Sequence, residues 1–427
     1  MGITSISLKG VRNASPFTPL DRHVAIFGDS RTANCHGTVT AGENVENYGY
    51  AAWMALYADS RVRTTKARNG GIGGDTSAMW LARVGTTIAY GAKVVINLIS
   101  TNDRGTANLT LDVTKTNIDA GIRAQLDAGI IPIIIAETPR GGSNALTGTQ
   151  LANHLAVRDW IKSYFPTIGV RVADPWVDLI STVPSEAAAG LPKANVTIDG
   201  LHPSPDGARI IGRHIAAQLI DLFPAKLLLP TFVSAYDATN NKYGQLTANP
   251  LITGTAGTLT GSANSTGQLA DGWTCSGSSW TGGSVVLSKE ANPSGGEYQV
   301  LTLGGTPTAS GSIVVFSQPI TLANVASGNK LKAMAKISHS GLQNVAGVAL
   351  EIRFVRGGTS YYSKTNDRYT EAYTMTGEAF TAPFETPILT LDGTETTIEA
   401  RVVIYGCQNL PLAGVVKIGQ MACVKVV

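Results

Sequence analysis

The stretch Val24-Ala25-Ile26-Phe27-Gly28-Asp29-Ser30 runs from an apolar segment of strand length directly into a glycine, a carboxylate and a hydroxyl. A buried strand that ends at Ser30 fixes the backbone there and lets the side chain face a substrate. Further apolar runs follow at 94–99, 130–136 and 170–173, with helical patterns between them. Ile118, Ile122 and Leu126 recur at helical spacing, and Gly129 stands where a helix would stop. Ser204 reads as an N-cap with Pro205 at the first helical position, and Ile211, Ile215, Leu219 and Leu222 then run down one face. Alternating strands and helices predict an α/β unit with a parallel sheet over residues 1–228.

Near residue 229 the texture changes to one rich in glycine, serine and threonine. Short alternating runs at 284–288, 298–303, 312–316, 330–337, 349–355, 397–404 and 414–418 predict an all-β sandwich over 229–427, of jelly-roll type. Residues 231–270 hold few apolar side chains and read as a linker, an extended first strand or a loosely packed lead-in. A length of 427 residues fits two domains or three. The 43% hydrophobic and 15% charged fractions and the net charge of +3 describe a folded protein without a strong field, and nothing points to nucleic acid. No apolar run approaches the roughly 18 residues of a membrane span. The first 20 residues lack the basic start and apolar middle of a secretory signal, so the chain is expected to stay inside or to leave by another route. Its four cysteines are far apart and form no CxxC pair, which argues against structural zinc. Two of Cys275, Cys407 and Cys423 pairing, or all remaining reduced, are both open.

In a doubly wound sheet, ligands gather at the carboxyl ends of the strands. Ser30 follows the first strand, Gly70-Gly71-Ile72-Gly73-Gly74 follows residues 66–69, and Thr101-Asn102-Asp103 follows the run 94–99. A hydroxyl, close-approach backbone and a side-chain amide are thus predicted to share one edge. Attack on an ester needs a base for the serine proton and donors for the oxyanion. His202 is the candidate base and Asn102 the candidate donor. Asp199, three residues before the histidine, is placed to fix its tautomer and stabilise the imidazolium. These residues predict a serine esterase.

Other features read more plainly. The glycine run fails the dinucleotide spacing at Thr76, and no Walker lysine follows, so a phosphate cradle is not expected. Asp29, Asp75 and Asp103 are expected to bond loop N–H groups in preference to a metal. His36 reads as bracing its loop in preference to touching substrate, His154 and His214 as surface or half-buried helical residues, and Cys35 as a small packing residue. Arg104 and Arg140 are either anion-greeting groups or solvated loop charges. Trp273, Trp280, Tyr361 and Tyr362 either form a sugar-stacking platform or fill a small core.

Gly28-Asp29-Ser30, Asn69 with Gly74-Asp75-Thr76-Ser77, Asn102-Asp103 and Asp199-Gly200-Leu201-His202-Pro203 resemble, in order, the four sequence blocks of the SGNH (GDSL-type) hydrolases. The resemblance covers about half the chain. It implies a flavodoxin-like three-layer α/β/α domain with no cofactor and no metal. It also implies Ser30 as nucleophile, Asp199 and His202 completing the triad, and an oxyanion hole made by Ser30 N–H, Gly74 N–H and the Asn102 side chain. Two positions depart from the pattern: Ser100 stands where the third block usually has glycine, and Arg31 follows the serine where leucine is common. The β-region resembles carbohydrate-binding modules, and the combination resembles phage tail esterases. That implies removal of O-acetyl groups from a polysaccharide by an acyl-enzyme on Ser30, with an acetylated polysaccharide or other surface glycan as partner. It also implies an extracellular or virion-associated setting, the cytoplasm staying open, and a homo-oligomer, trimeric if a tail protein. The rival expectations are a lipid esterase or acyl thioesterase, and a glycan-binding adhesin with an inactive hydrolase domain.

Overall fold

The computed structural model describes residues 22–37, 43–105, 107–225, 229–260, 265–375 and 377–427. The first 20 residues, read above for a signal, and residues 226–228 at the change of texture lie outside the described residues. Five parallel strands, β1 (Ala25–Gly28), β2 (Asn69–Gly71), β3 (Val94–Leu98), β4 (Ile131–Ile135) and β5 (Arg171–Ala173), lie in the order β2-β1-β3-β4-β5. This is the flavodoxin-like arrangement, in which strand order reverses between β1 and β3 and leaves a crevice at their carboxyl ends. β1, β3 and β4 read as nearly continuous apolar runs because both faces are covered. Ile26, Ile96 and Ile133 pack with Tyr50, Met54, Ile211 and Ile215 on one side. Phe27, Val95 and Ile134 pack with Trp80, Ile118, Ile122 and Ile161 on the other.

The helix signals correspond to real termini. Thr110 caps the helix Leu111–Asp127, which stops before Gly129 at φ +73°. Ser204 accepts from Gly207 N–H to cap Pro205–Ala217. One local difference concerns the second strand: Lys66–Arg68 is a 3-10 turn, and the strand is the polar, glycine-rich Asn69–Gly71. Its existence depends on the ladder to β1, where Asn69 lies beside Ile26, and no side-chain pattern announces it. Among the described residues, no helix is long and apolar enough to cross a membrane.

The second half is a sandwich of two sheets sharing one core. Val285, Leu301 and Val416 of one sheet pack in the same cluster as Phe316, Leu350 and Val402 of the other. All seven β-runs picked out in the sequence overlap strands, and Ala256–Thr260, Ser265–Gly267, Leu269–Ser278, Thr359–Thr365, Phe380–Glu385 and Leu389–Thr390 are added to them. The stretch between Pro230 and Ala256 is an irregular lead-in anchored by Leu246 N–H to Cys423 O at 2.7 Å, with Leu246 and Ile252 in the core. Trp273 stacks on Phe316 at 4.4 Å and Trp280 is buried, which corrects the sugar-platform alternative for both. All four cysteines are free and buried.

The two halves are tied together. Asn44–Val45, from the first half, adds as an edge strand to Thr359–Thr365. Phe380 meets Trp53 and Tyr57 edge-on at 5.5 and 5.0 Å. Buried charges also meet across the junction: Glu46, paired with Arg63 at 2.7 Å in the first half, accepts from Thr365 Oγ1 at 2.7 Å, and Glu385, paired with Lys332 in the second, binds Arg22 at 2.5 Å. Burial alone would raise the Glu385 carboxyl, but Arg63, Arg22 and Lys332 outweigh it and hold the group at about 2.

Its unfolded-state value is near 4.5, so the stability it contributes is complete above that pH and is lost as pH falls toward 2. The difference corresponds to about 3 kcal/mol. Glu385→Gln is expected to remove that part of the acid limb in urea titrations between pH 6 and pH 2. Equal acid sensitivity in wild type and variant would refute the assignment.

Candidate active site

The nucleophile candidate sits where β1 ends. A Cβ at Gly28 would lie 2.2 Å from Leu98 O and 2.4 Å from Thr32 Oγ1, so only glycine lets the chain turn there. Asp29 then accepts from Arg31 N–H at 2.9 Å and caps the short helix Ser30–Ala33, of which Ser30 is the first residue. His202 arrives from the loop before helix Pro205–Ala217. Its Nε2 lies 2.8 Å from Ser30 Oγ and its Nδ1 2.7 Å from Asp199 Oδ2. With Nδ1–H donating to the carboxylate, Nε2 is left to accept from the serine hydroxyl.

The Asp199–His202 loop is shaped by the same carboxylate. Asp199 Oδ1 accepts from Leu201 N–H at 3.0 Å and from His202 N–H at 2.8 Å. Burial would raise this carboxyl, but those bonds and the imidazole hold it below the ordinary range, so it stays ionised. Gly200 has φ +85°, and a Cβ there would meet Gly141 O at 1.9 Å. Gly141 N–H donates back to Gly200 O at 2.7 Å, fastening the loop to the one that follows β4.

The remaining predicted residues belong to, or bond to, the glycine loop that passes Ser30. Asn102, on the 3-10 turn after β3, donates one amide hydrogen to Asp75 O at 2.9 Å. The glycine loop passes close enough that a Cβ at Gly73 would lie 3.9 Å from Ser30 Cβ, and Gly74 follows at φ +83° with open space beside it. Asn69 braces the arrangement, donating to Thr32 O and to His36 Nδ1 at 3.0 Å each. His36 is buried, and burial pushes it down to about 4, so it is neutral at ordinary pH.

Glu137, just past β4, was not singled out in the sequence. It is fully buried and binds Arg31 at 2.9 Å, while Ser100 Oγ donates to it at 2.5 Å. Arg31 also binds Asp29 at 2.6 Å. Ser100 has φ +103°, a region that favours glycine. The two departures from the family pattern, Arg31 and Ser100, are therefore bonded to one carboxylate. Burial would raise that carboxyl, and Arg31 overrides it and keeps it low. The available signal was a carboxylate directly after a fully apolar strand, opposite an unexpected arginine.

Other side chains have bracing roles. Arg104 and Arg140 are buried and donate to backbone, to Leu109 O at 2.8 Å and Thr101 O at 2.9 Å, which corrects both the anion-binding and the solvated alternatives. His154 is fully buried and donates to Thr138 O at 2.9 Å, where a surface or half-buried position was expected. Asp75 binds Arg83 at 3.0 Å, and Asp103 accepts from Ser77 N–H at 2.7 Å.

A cavity of about 520 Å³ opens beside His202, lined by Asn47, Tyr48, Asp199 and His202 and, from the β-region, Arg368 and Tyr369.

Residues 26–210 match the GDSL-like Lipase/Acylhydrolase family. Among solved structures, the chain is similar to a member of the lipolytic protein G-D-S-L family from Veillonella parvula, with 18% identity, 47% of this chain and 98% of that chain covered, and a TM-score of 0.35. It is similar to the lipase/acylhydrolase from Enterococcus faecalis at 18% identity, covering 48% and 100%, with a TM-score of 0.37. A catalytic mutant of Axe2, an acetylxylan esterase from Geobacillus stearothermophilus, gives 17% identity, 49% and 99% coverage and a TM-score of 0.37. No curated protein matches the chain.

Proposed function

We propose, on the premise that residues 26–210 are a domain of the GDSL-like lipase/acylhydrolase family of serine hydrolases acting on esters, that this chain removes O-acetyl groups from a polysaccharide. The observation that carries the mechanism is the hydrogen-bonded series from Ser30 Oγ to His202 at 2.8 Å and on to Asp199 at 2.7 Å. His202 takes the Ser30 proton as Oγ bonds to the acyl carbon. The oxyanion is received by Ser30 N–H, Gly74 N–H and the second amide hydrogen of Asn102. When the tetrahedral adduct collapses, the carbon–oxygen bond to the sugar breaks and His202 protonates the departing alkoxide. Water, deprotonated by His202, then cleaves the acetyl–Ser30 bond and restores the hydroxyl.

The substrate class rests on the character of the cavity. Its wall carries amide, imidazole, carboxylate, guanidinium and phenol groups. Such a wall suits a hydroxyl-rich ring, whereas a long acyl chain would need an apolar trough. A surface glycan as partner, an extracellular or virion setting and a trimeric tail protein belong to the same proposal. Acetate release from a panel of O-acetylated polysaccharides tests it, alongside p-nitrophenyl acetate and octanoate. Release from at least one glycan, with acetate turned over faster than octanoate, is expected. Faster octanoate turnover with no acetate from any glycan would overturn the substrate class.

A further inference from the structure

The cavity beside His202 is not enclosed by the α/β unit alone. Arg368 and Tyr369, in its wall, belong to the loop between strands Thr359–Thr365 and Phe380–Glu385 of the β-region. That loop is fixed against the first half at several points. Asp367 N–H donates to Glu46 O at 3.1 Å, and Tyr373 Oη donates to Ile198 O at 2.6 Å, one residue before Asp199. Tyr369 lies between two other tyrosines, 4.8 Å from the Tyr48 ring and 5.7 Å from the Tyr373 ring. Tyr48 is buried, whereas Tyr369 is 40% exposed. An aromatic face braced from behind and open in front has little reason to be apolar unless something covers it. Arg368 is also held in place, 3.1 Å from Glu371 and over the Tyr405 ring at 4.8 Å, while its side chain keeps 27% of its exposure.

We propose that this loop is the sugar-binding half of the active site, with Tyr369 stacking on the pyranose that carries the ester, and Arg368 and Asn47 donating to its hydroxyls. The C–H face of a pyranose is apolar and its rim is polar, which matches a tyrosine ring flanked by guanidinium and amide donors. The acyl-transfer groups come from the first half, and the alcohol-side contacts come from Arg368 and Tyr369 of the second half together with Asn47 of the first, so the ester bond lies at the junction of the two. This assignment rests on the glycan-esterase reading above and specifies where that glycan is held.

The test is steady-state kinetics of the full chain on the O-acetylated polysaccharide panel and on p-nitrophenyl acetate. Tyr369→Ala and Arg368→Ala are expected to raise KM for the glycan at least tenfold, a rise exceeding any on p-nitrophenyl acetate by that factor. Tyr369→Phe, which keeps the ring, is expected to stay within about twofold of the wild-type KM. Tyr243→Ala, at an exposed tyrosine elsewhere on the β-region, is the control. A Tyr369→Ala KM within twofold of wild type, with the wild type releasing acetate normally, would overturn the subsite and leave the esterase reading standing. A wild type that cleaves p-nitrophenyl acetate but releases no acetate from any glycan would overturn the substrate class and the subsite together.

Discussion

Ser30→Ala is expected to lower ester turnover by about 10⁵–10⁶-fold and to abolish covalent labelling by a fluorophosphonate. The magnitude follows from the way the site acts as a unit. Without Oγ there is no acyl-enzyme, and His202, 2.8 Å away, loses the group from which it takes a proton. What remains is whatever the oxyanion donors contribute to direct attack by water. The fold should be unaffected, because the turn at Ser30 is made by Gly28 and by the Asp29 cap, neither of which uses the hydroxyl. Labelling by a fluorophosphonate that persists in the alanine variant would place the nucleophile elsewhere. An unchanged melting temperature beside the lost turnover separates chemistry from folding.

Asn102→Ala is expected to reduce kcat and kcat/KM together by about 10²–10³. An oxyanion donor is engaged only as charge develops on the carbonyl oxygen, so its removal should leave KM nearly as it was. The amide already donates to Asp75 O at 2.9 Å, which fixes its plane and reduces the reorganisation required during reaction. A rise in KM with kcat preserved would mean that Asn102 binds substrate uniformly and does not serve the oxyanion. A loss below tenfold in kcat would leave Ser30 N–H and Gly74 N–H as the only donors.

Much of the α/β half was legible because burial on both faces leaves an apolar mark in the sequence. β1, β3 and β4 are such runs, and the caps at Ser204 and Gly129 mark helix ends by local chemistry alone. β2 left no such mark, since its residues are strand only through pairing with β1. The Ser30, Asp199 and His202 constellation was legible because each residue lies at a strand end or in a loop that the fold must bring to one edge. Glu137 was not, since its meaning depends on Arg31 and Ser100, which are distant in sequence and meet it only in space. Of the two readings left open for Trp273 and Trp280, core filling is the one the structure bears out. Trp273 is turned inward by alternation along Leu269–Ser278, Trp280 is buried in the turn that follows that strand, and Tyr369 sits in a loop without periodicity. Helical amphipathicity was misleading for His154, which faces the end of β4 and is covered there.

The edge strand Asn44–Val45 gives the protein an order of completion. Glu46 and its partner Thr365 are 319 positions apart, and Arg368 and Tyr369 come later still. On a ribosome, elongating at roughly 5–20 residues per second, the parallel sheet and the Ser30 loop emerge well before the strand that receives Asn44–Val45. Until then Glu46 lacks its bond to Thr365, Arg63 lacks its bond to Thr386 O, and the cleft lacks the wall made by Arg368 and Tyr369. Closing so long a loop is slow relative to local helix and turn formation. The nascent chain therefore carries Ser30 long before it carries Arg368 and Tyr369, and the cleft beside His202 is completed only late in synthesis.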